Sequence, residues 1–241
     1  MGKKSGRRGM KRISAPSSWD IARKEARFIT KPSPGSHPIA NSYSLSVVLR
    51  NLLGMVETQK EVMQVLTRGD VLVDGVPRHD PGFPVGLFDV VTIPAEGKSF
   101  RLVPSPDGLV PTDIVSTESG VKLCRVRSKV KTTGGRIQFG FHDGRSMLDD
   151  KLTVSCGDSV VMKVPDQAVV ESVKLAKGTM GIVVSGDRAG QVGRIIGVKK
   201  GTSTREKMVE LSLPSGETEL PERLVFPVGT DKPAVEVQVK T

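Results

Sequence analysis

Two cysteines, three histidines and a 4% share of aromatic residues leave this chain short of side chains that cross-link, chelate or catalyse. Cys124 and Cys156 stand 32 positions apart, with no CxxC spacing and no histidine pair beside them. They read as small apolar fillers in a reducing compartment, and neither a disulfide framework nor a structural zinc site is expected. No run approaches the roughly 18 apolar residues of a membrane span, and no apolar stretch follows the first charges as a secretory signal would require. Gly2-Lys3-Lys4-Ser5-Gly6 lacks the amphipathic period of a mitochondrial presequence, so the cytosol is the expected compartment. P-loop, GxSxG and HExxH patterns are missing. Asp149 and Asp150 would point to opposite faces of a strand, which argues against joint acid–base work. His142 beside Asp143 has no nucleophile or third orienting group, so a turn or a phosphate contact is the expected role. No catalytic residue, cofactor, metal ligand, membrane or small-molecule substrate is assigned.

Charge is abundant and unevenly placed. Of the net +10, the first 31 residues carry +8: ten basic groups stand against Asp20 and Glu25 alone. Such an arm has few apolar residues to bury and is expected to stay unfolded until a polyanion neutralises it. Extended, it would reach on the order of 100 Å. Nucleic acid is the favoured polyanion; a nuclear address, a membrane-surface patch or a solubilising end are the alternatives. If the arm neutralises about eight phosphates, affinity falls with log salt at a slope of about −6.

Proline, glycine and short β-type runs divide the chain into a basic extension (1–41) and three small modules (42–105, 106–173, 174–241), an α+β, multi-domain organisation. Within the extension, Trp19 to Phe28 reads as a short helix capped by Ser17 or Ser18, ending before the prolines at 32, 34 and 38. Trp19 is an anchor for the arm or a base-stacking ring, and the anchor is favoured. In 42–105, Leu45, Val48, Leu49, Leu52 and Leu53 follow helical spacing up to Gly54. Thr58-Gln59-Lys60-Glu61 has capping-box spacing and opens a second helix that runs to Gly69. Val71-Leu72-Val73 reads as a strand, Asp74-Gly75 as a tight turn, and Asp89 to Ile93 as another strand. In 106–173, period two from Val121 places Cys124, Val126 and Val130 on one face. Arg125, Arg127, Lys129 and Lys131 then share a cationic opposite face, and Thr133-Gly134-Gly135 turns the chain into Ile137, Phe139 and Phe141. Edge protection is the bland explanation for those four cations, and phosphate contact is the one favoured. From Lys174 the chain is β-rich with regular glycines; Asp231 to Thr241 has no assignment.

Arg50, Glu61 and the run Arg68-Gly69-Asp70-Val71-Leu72-Val73-Asp74-Gly75 resemble the alpha-L, or S4-like, RNA-binding motif. Three flanks, Met10 to Trp19, Lys31 to His37 and Phe83 to Val90, resemble the small-subunit ribosomal protein S4e family of archaeal and eukaryotic cytosolic ribosomes. The likeness runs through His142-Asp143-Gly144-Arg145 into the C-terminal third, so it covers nearly the whole chain. Gly178 to Gly186 and Gly190 to Ile196 resemble the KOW motif of a small SH3-like barrel, with glycines that turn tight corners and let an RNA backbone approach. Asp187 and Gln191 depart from that motif's glycine and basic residue, which leaves Arg188 and Arg194 to supply the charge.

The resemblance implies a non-catalytic constituent of the small ribosomal subunit, with its rRNA and neighbouring ribosomal proteins as partners. Expected RNA contacts on the extension are Lys3, Lys4, Arg7, Arg8, Lys11, Arg12, Trp19, Arg23, Arg27, Lys31 and His37. The S4-like module would add Arg50, Lys60, Arg68, Arg78 and His79. Arg125, Arg127, Lys129, Lys131 and Arg145 would follow from the central module, and Arg188 and Arg194 from the barrel. A transcription or translation factor and an RNA-modifying enzyme are the competing readings, although no stretch remains to host a catalytic domain. Whether the modules keep a fixed orientation away from RNA is left open.

Overall fold

The computed structural model describes residues 9–150, 152–202 and 206–237. Antiparallel strands dominate it, arranged in three five-stranded sheets and two small two-stranded ones. Among the described residues no helix is long and apolar enough to cross a membrane.

The first large sheet runs Val76–Pro77, Leu72–Val73, Val90–Ile93, Lys98–Ser105 and Gly108–Asp113. Its last hairpin pairs Ser105 with Gly108, so the sheet continues past residue 105, where a boundary was expected. Helix Gln59–Arg68 packs on this sheet through Val62 and Leu66. Its capping box forms as the spacing requires: Glu61 N–H donates to Thr58 Oγ1 at 3.2 Å, and Thr58 N–H donates to Glu61 Oε2 at 3.3 Å. Gly69 then ends the helix in the left-handed region, at φ 80°. The preceding apolar stripe forms a single α turn, Leu45–Val47, that widens into a π segment, Val48–Leu52. The regular helix expected up to Gly54 is therefore replaced by a broader turn. Asp74 and Gly75 both adopt positive φ, 51° and 76°, which suits the two-residue turn read from the sequence.

The extension departs most from expectation. Trp19 to Phe28 forms turns and bends, with no helix. Arg23 donates to the carbonyl oxygens of Ala15 (2.9 Å) and Pro16 (2.8 Å), and these bonds fold the segment back on itself. Phe28–Thr30 pairs with Gly9–Lys11. Trp19 is 3% exposed, 5.1 Å from the Tyr43 ring, and belongs to the same apolar cluster as Leu45, Val62 and Val73. From Gly9 onward the arm is folded onto the body, because burying Trp19 and Ala15 outweighs the repulsion among its cations.

The second sheet is ordered Ser146–Leu148, Ile137–Phe141, Val121–Lys131, Ser159–Lys163 and Ala168–Val173. A bulge between Val126 and Ser128 breaks strict alternation along its central strand. Beyond it the faces exchange: Lys129 pairs with Phe139 and lays its ammonium 5.3 Å from that ring, while Val130 is exposed. Val130 thus leaves the face of Cys124 and Val126, and the four cations are not in register. The third sheet runs Gly216–Pro221, Met208–Leu213, Val192–Lys199, Met180–Val183 and Val225–Gly229.

One apolar cluster joins all three sheets. Leu87 and Phe88 enter it from the turn that leads into strand Val90–Ile93 of the first, Leu123 and Val161 from the second, and Ile182, Phe226 and Val228 from the third, with Val235 and Val237 from the previously unassigned tail. Phe88 is fully buried at φ 62°, a costly conformation for a bulky residue. That backbone turn delivers Phe88 to the shared core and carries the chain on into Asp89. Sheet orientation, open at the sequence level, is set by this cluster.

Candidate nucleic-acid interface

Beneath the shared core lies a cluster of buried charge. Lys122 stands on the buried half of its strand and is 1% exposed. Its ammonium donates to Asp74 Oδ2 at 2.8 Å, to Asp143 Oδ2 at 3.0 Å and to Asp89 Oδ1. The remaining acceptor capacity is met: Val90 N–H donates to Asp74, Gly86 N–H to Asp89, and Arg145 to Asp74 at 2.9 Å. Burial works against the Lys122 ammonium, but Asp89 and Asp74 outweigh it and hold the group charged well above its ordinary range. Burial likewise opposes ionisation of Asp89 and Asp143, yet Lys122 brings both below the ordinary carboxylate range. For Asp74 burial wins and its pKa is raised. Arg101, also buried, donates to Glu118 Oε2 (3.0 Å) and to the carbonyl oxygens of Val121 (2.9 Å) and Glu236 (2.9 Å), so it ties the tail to the first two sheets.

Cys124, His142 and Asp143 bring possible metal donors within 4.8 Å of one another. Each is already engaged. His142 Nδ1 accepts from Arg125 N–H at 3.1 Å and its Nε2 donates to Leu87 O at 3.3 Å. Asp143 holds Lys122, and burial raises the Cys124 thiol well above its ordinary range, away from the thiolate a metal needs. Burial, helped by Lys122, pulls the His142 pKa down to about 4. The trio belongs to the charge cluster rather than to an ion.

The outer surface carries cations of all three sheets and of the extension. Lys11, Lys24, Arg27, Arg50, Lys60, Arg68, Arg127, Lys131 and Arg194 are exposed. Arg50 Nε donates to Glu57 O at 3.0 Å, beside the capping box. His79 Nδ1 donates to Leu66 O at 2.7 Å and so covers a carbonyl at the helix end next to Arg68. Comparison with known proteins places the chain in a family. Residues 96–169 match the model of the Ribosomal family S4e, and residues 4–40 that of the RS4NT (NUC023) domain. Small ribosomal subunit protein eS4 of Methanocella arvoryzae is 35% identical over 94% of this chain and 96% of its own. The protein of that name from Methanothermobacter thermautotrophicus is 36% identical, covering 96% of both. The chain belongs to the ribosomal S4e family. The crystal structure of the 30S ribosomal protein S4e from Thermoplasma acidophilum superposes on this S4e chain with a TM-score of 0.68, at 29% identity, over 79% of this chain and 96% of that one.

Not every residue expected to meet RNA is presented by this S4e chain. Lys3, Lys4, Arg7 and Arg8 lie outside the described residues. Arg12 is buried against Glu25 at 2.7 Å, and Trp19 is buried in the first core. Arg23 is spent on the backbone carbonyls of Ile13, Ala15 and Pro16. His37 is buried, 3.1 Å from Asp89. Arg125 pairs with Glu222 at 3.4 Å and lies over Phe226, and Arg145 is held by Asp74. Lys31, Arg78 and Arg188 are half-buried, Arg78 with its guanidinium 4.4 Å from the Phe83 ring. Lys129 is exposed and donates to Val154 O at 3.0 Å. Gly190 was expected to admit an RNA backbone; a Cβ there would lie 2.5 Å from Pro104 O, so the close approach is that of the chain itself. Sequence reasoning missed Lys122 and Arg101. The signal for Lys122 was present, since it shares parity with Cys124 and Val126.

Proposed function

We propose that this chain is a non-catalytic structural constituent of the small ribosomal subunit of the cytoplasmic ribosome, held there by rRNA and by neighbouring ribosomal proteins. Near end-to-end similarity to proteins named small ribosomal subunit protein eS4 carries the reading. Its finer form assigns an S4-like role to the helix-and-sheet region of 42–105 and a KOW-like barrel to 174–241. Lys11, Arg27, Arg50, Lys60, Arg68, Arg127, Lys131 and Arg194 support it as exposed cations able to displace counterions from phosphates. Lys3, Lys4, Arg7 and Arg8 add to that set through their charge alone. The physics is that of backbone positioning: cations on a rigid, preformed surface fix orientation on folded RNA without reading its sequence. Sedimentation of a cell lysate through a sucrose gradient tests it. Stoichiometric recovery with small subunits is expected, and recovery only in the free pool overturns the proposal.

A further inference from the structure

Of one Trp, one Tyr and seven Phe in the chain, eight rings are buried or half-buried. Phe28 alone is exposed, at 60%. Its position is fixed by pairing. In the ribbon of Gly9–Lys11 and Phe28–Thr30, Met10 opposes Ile29, and both pack inward on the first apolar cluster. The neighbouring pair, Lys11 opposite Phe28, is turned to solvent by the alternation of the strands. The Arg27 guanidinium lies 5.3 Å from the Phe28 centroid, and Lys24 is exposed close by in sequence. Glu25, the carboxylate nearest in sequence, is occupied by Arg12. The chain entering this ribbon carries Lys3, Lys4, Arg7 and Arg8.

A single exposed apolar residue is ordinary on a protein surface; a ring bracketed by two cations is a narrower arrangement. An apolar protein partner that covered Phe28 would have to desolvate Lys11 and Arg27 without compensation. A nucleotide meets both needs, its base on the ring and its phosphates on the cations, which is how sequence-tolerant single-strand sites are built. We propose that Phe28 is a stacking platform for an unpaired nucleobase of the small-subunit rRNA, with Lys11 and Arg27 holding phosphates on either side. This rests on the rRNA-binding reading above and names the place on the protein where a base is engaged.

The test compares full-length protein with Phe28→Ala, Phe28→Tyr and Phe28→Trp variants on an archaeal small-subunit rRNA transcript and on poly(U). Phe28→Ala is expected to weaken binding about tenfold at an unchanged salt slope, while Phe28→Tyr binds as the parent does. In Phe28→Trp, RNA should quench the new indole and shield it from acrylamide; Trp19, being buried, serves as the internal control. Lys11→Ala and Arg27→Ala should each lower the salt slope by about one. Parent binding that Phe28→Ala leaves intact, with no quenching of the introduced tryptophan, overturns the stacking site and spares the rRNA reading. A parent that binds neither RNA overturns both.

Discussion

At the scale of single residues, Lys122 determines more than any surface cation. Its ammonium balances three carboxylates held out of water around it. Lys122→Met would leave Asp74, Asp89 and Asp143 buried with Arg145 as the remaining cation. A loss of about 3–5 kcal/mol is expected, read as a fall in the denaturant midpoint; an unchanged midpoint would show that the cluster contributes nothing to stability. His142 sets the acid response. Its pKa falls from 6.5 to about 4 on folding, so between those values the unfolded chain binds more protons. Stability from this group is complete above pH 6.5 and lost as pH falls towards 4, by up to about 3 kcal/mol. Asp89 and Asp143, both lowered, act in the same direction further into acid, while Asp74, raised, acts against them. A His142→Gln variant should show a flatter midpoint between pH 6.5 and 4. Much of this was legible in parity: Lys122, Cys124 and Val126 alternate onto one face. What could not be read was the identity of the partners, since Asp74 and Asp89 arrive from loops distant in sequence.

At the scale of elements, local signals translated where the chemistry was local. The capping box of Thr58 and Glu61 formed because both partners lie within one turn. Thr58→Ala is expected to cost about 1 kcal/mol, measurable as a lower thermal midpoint with the fold intact. Asp74-Gly75 turned the chain for the same reason. Long-range competition decided the elements that were misread. Trp19 to Phe28 has helical spacing, yet Trp19 packs against Tyr43 and Phe28 pairs with Lys11, and both demands pull the backbone out of a helix. The bulge after Val126 left no mark in the hydrophobic pattern, although it moved Val130 to the surface and Lys129 onto Phe139. A register that slips by one residue reverses every side chain beyond it. Candidate contacts chosen by strict alternation therefore lie in part on other faces than expected.

At the scale of the whole molecule, the three sheets behave as one body because they share apolar residues and buried charge. A single cooperative calorimetric transition is expected, and three resolved transitions would contradict the shared core. The ordering of the arm from Gly9 also changes how its electrostatics should be measured. Removing residues 1–31 would strip Trp19 and Ala15 from the first core along with the charge. Removing residues 1–8 takes four cations and no residue of the described core, and should flatten the salt slope by about 3 to 4; an unchanged slope would remove the leading cations from the interface.

Val235 and Val237 have a consequence for biosynthesis. A ribosome extrudes this polypeptide from its first residue onward, and independent domains ordinarily fold in that order as they emerge. Here the cluster around Leu87, Leu123 and Ile182 needs two valines that lie among the last residues described. The nascent chain must wait, its greasy junction open to water, until those two valines have emerged. Newborn molecules that stop short of Val235 should therefore be hunted down by quality control instead of joining a particle.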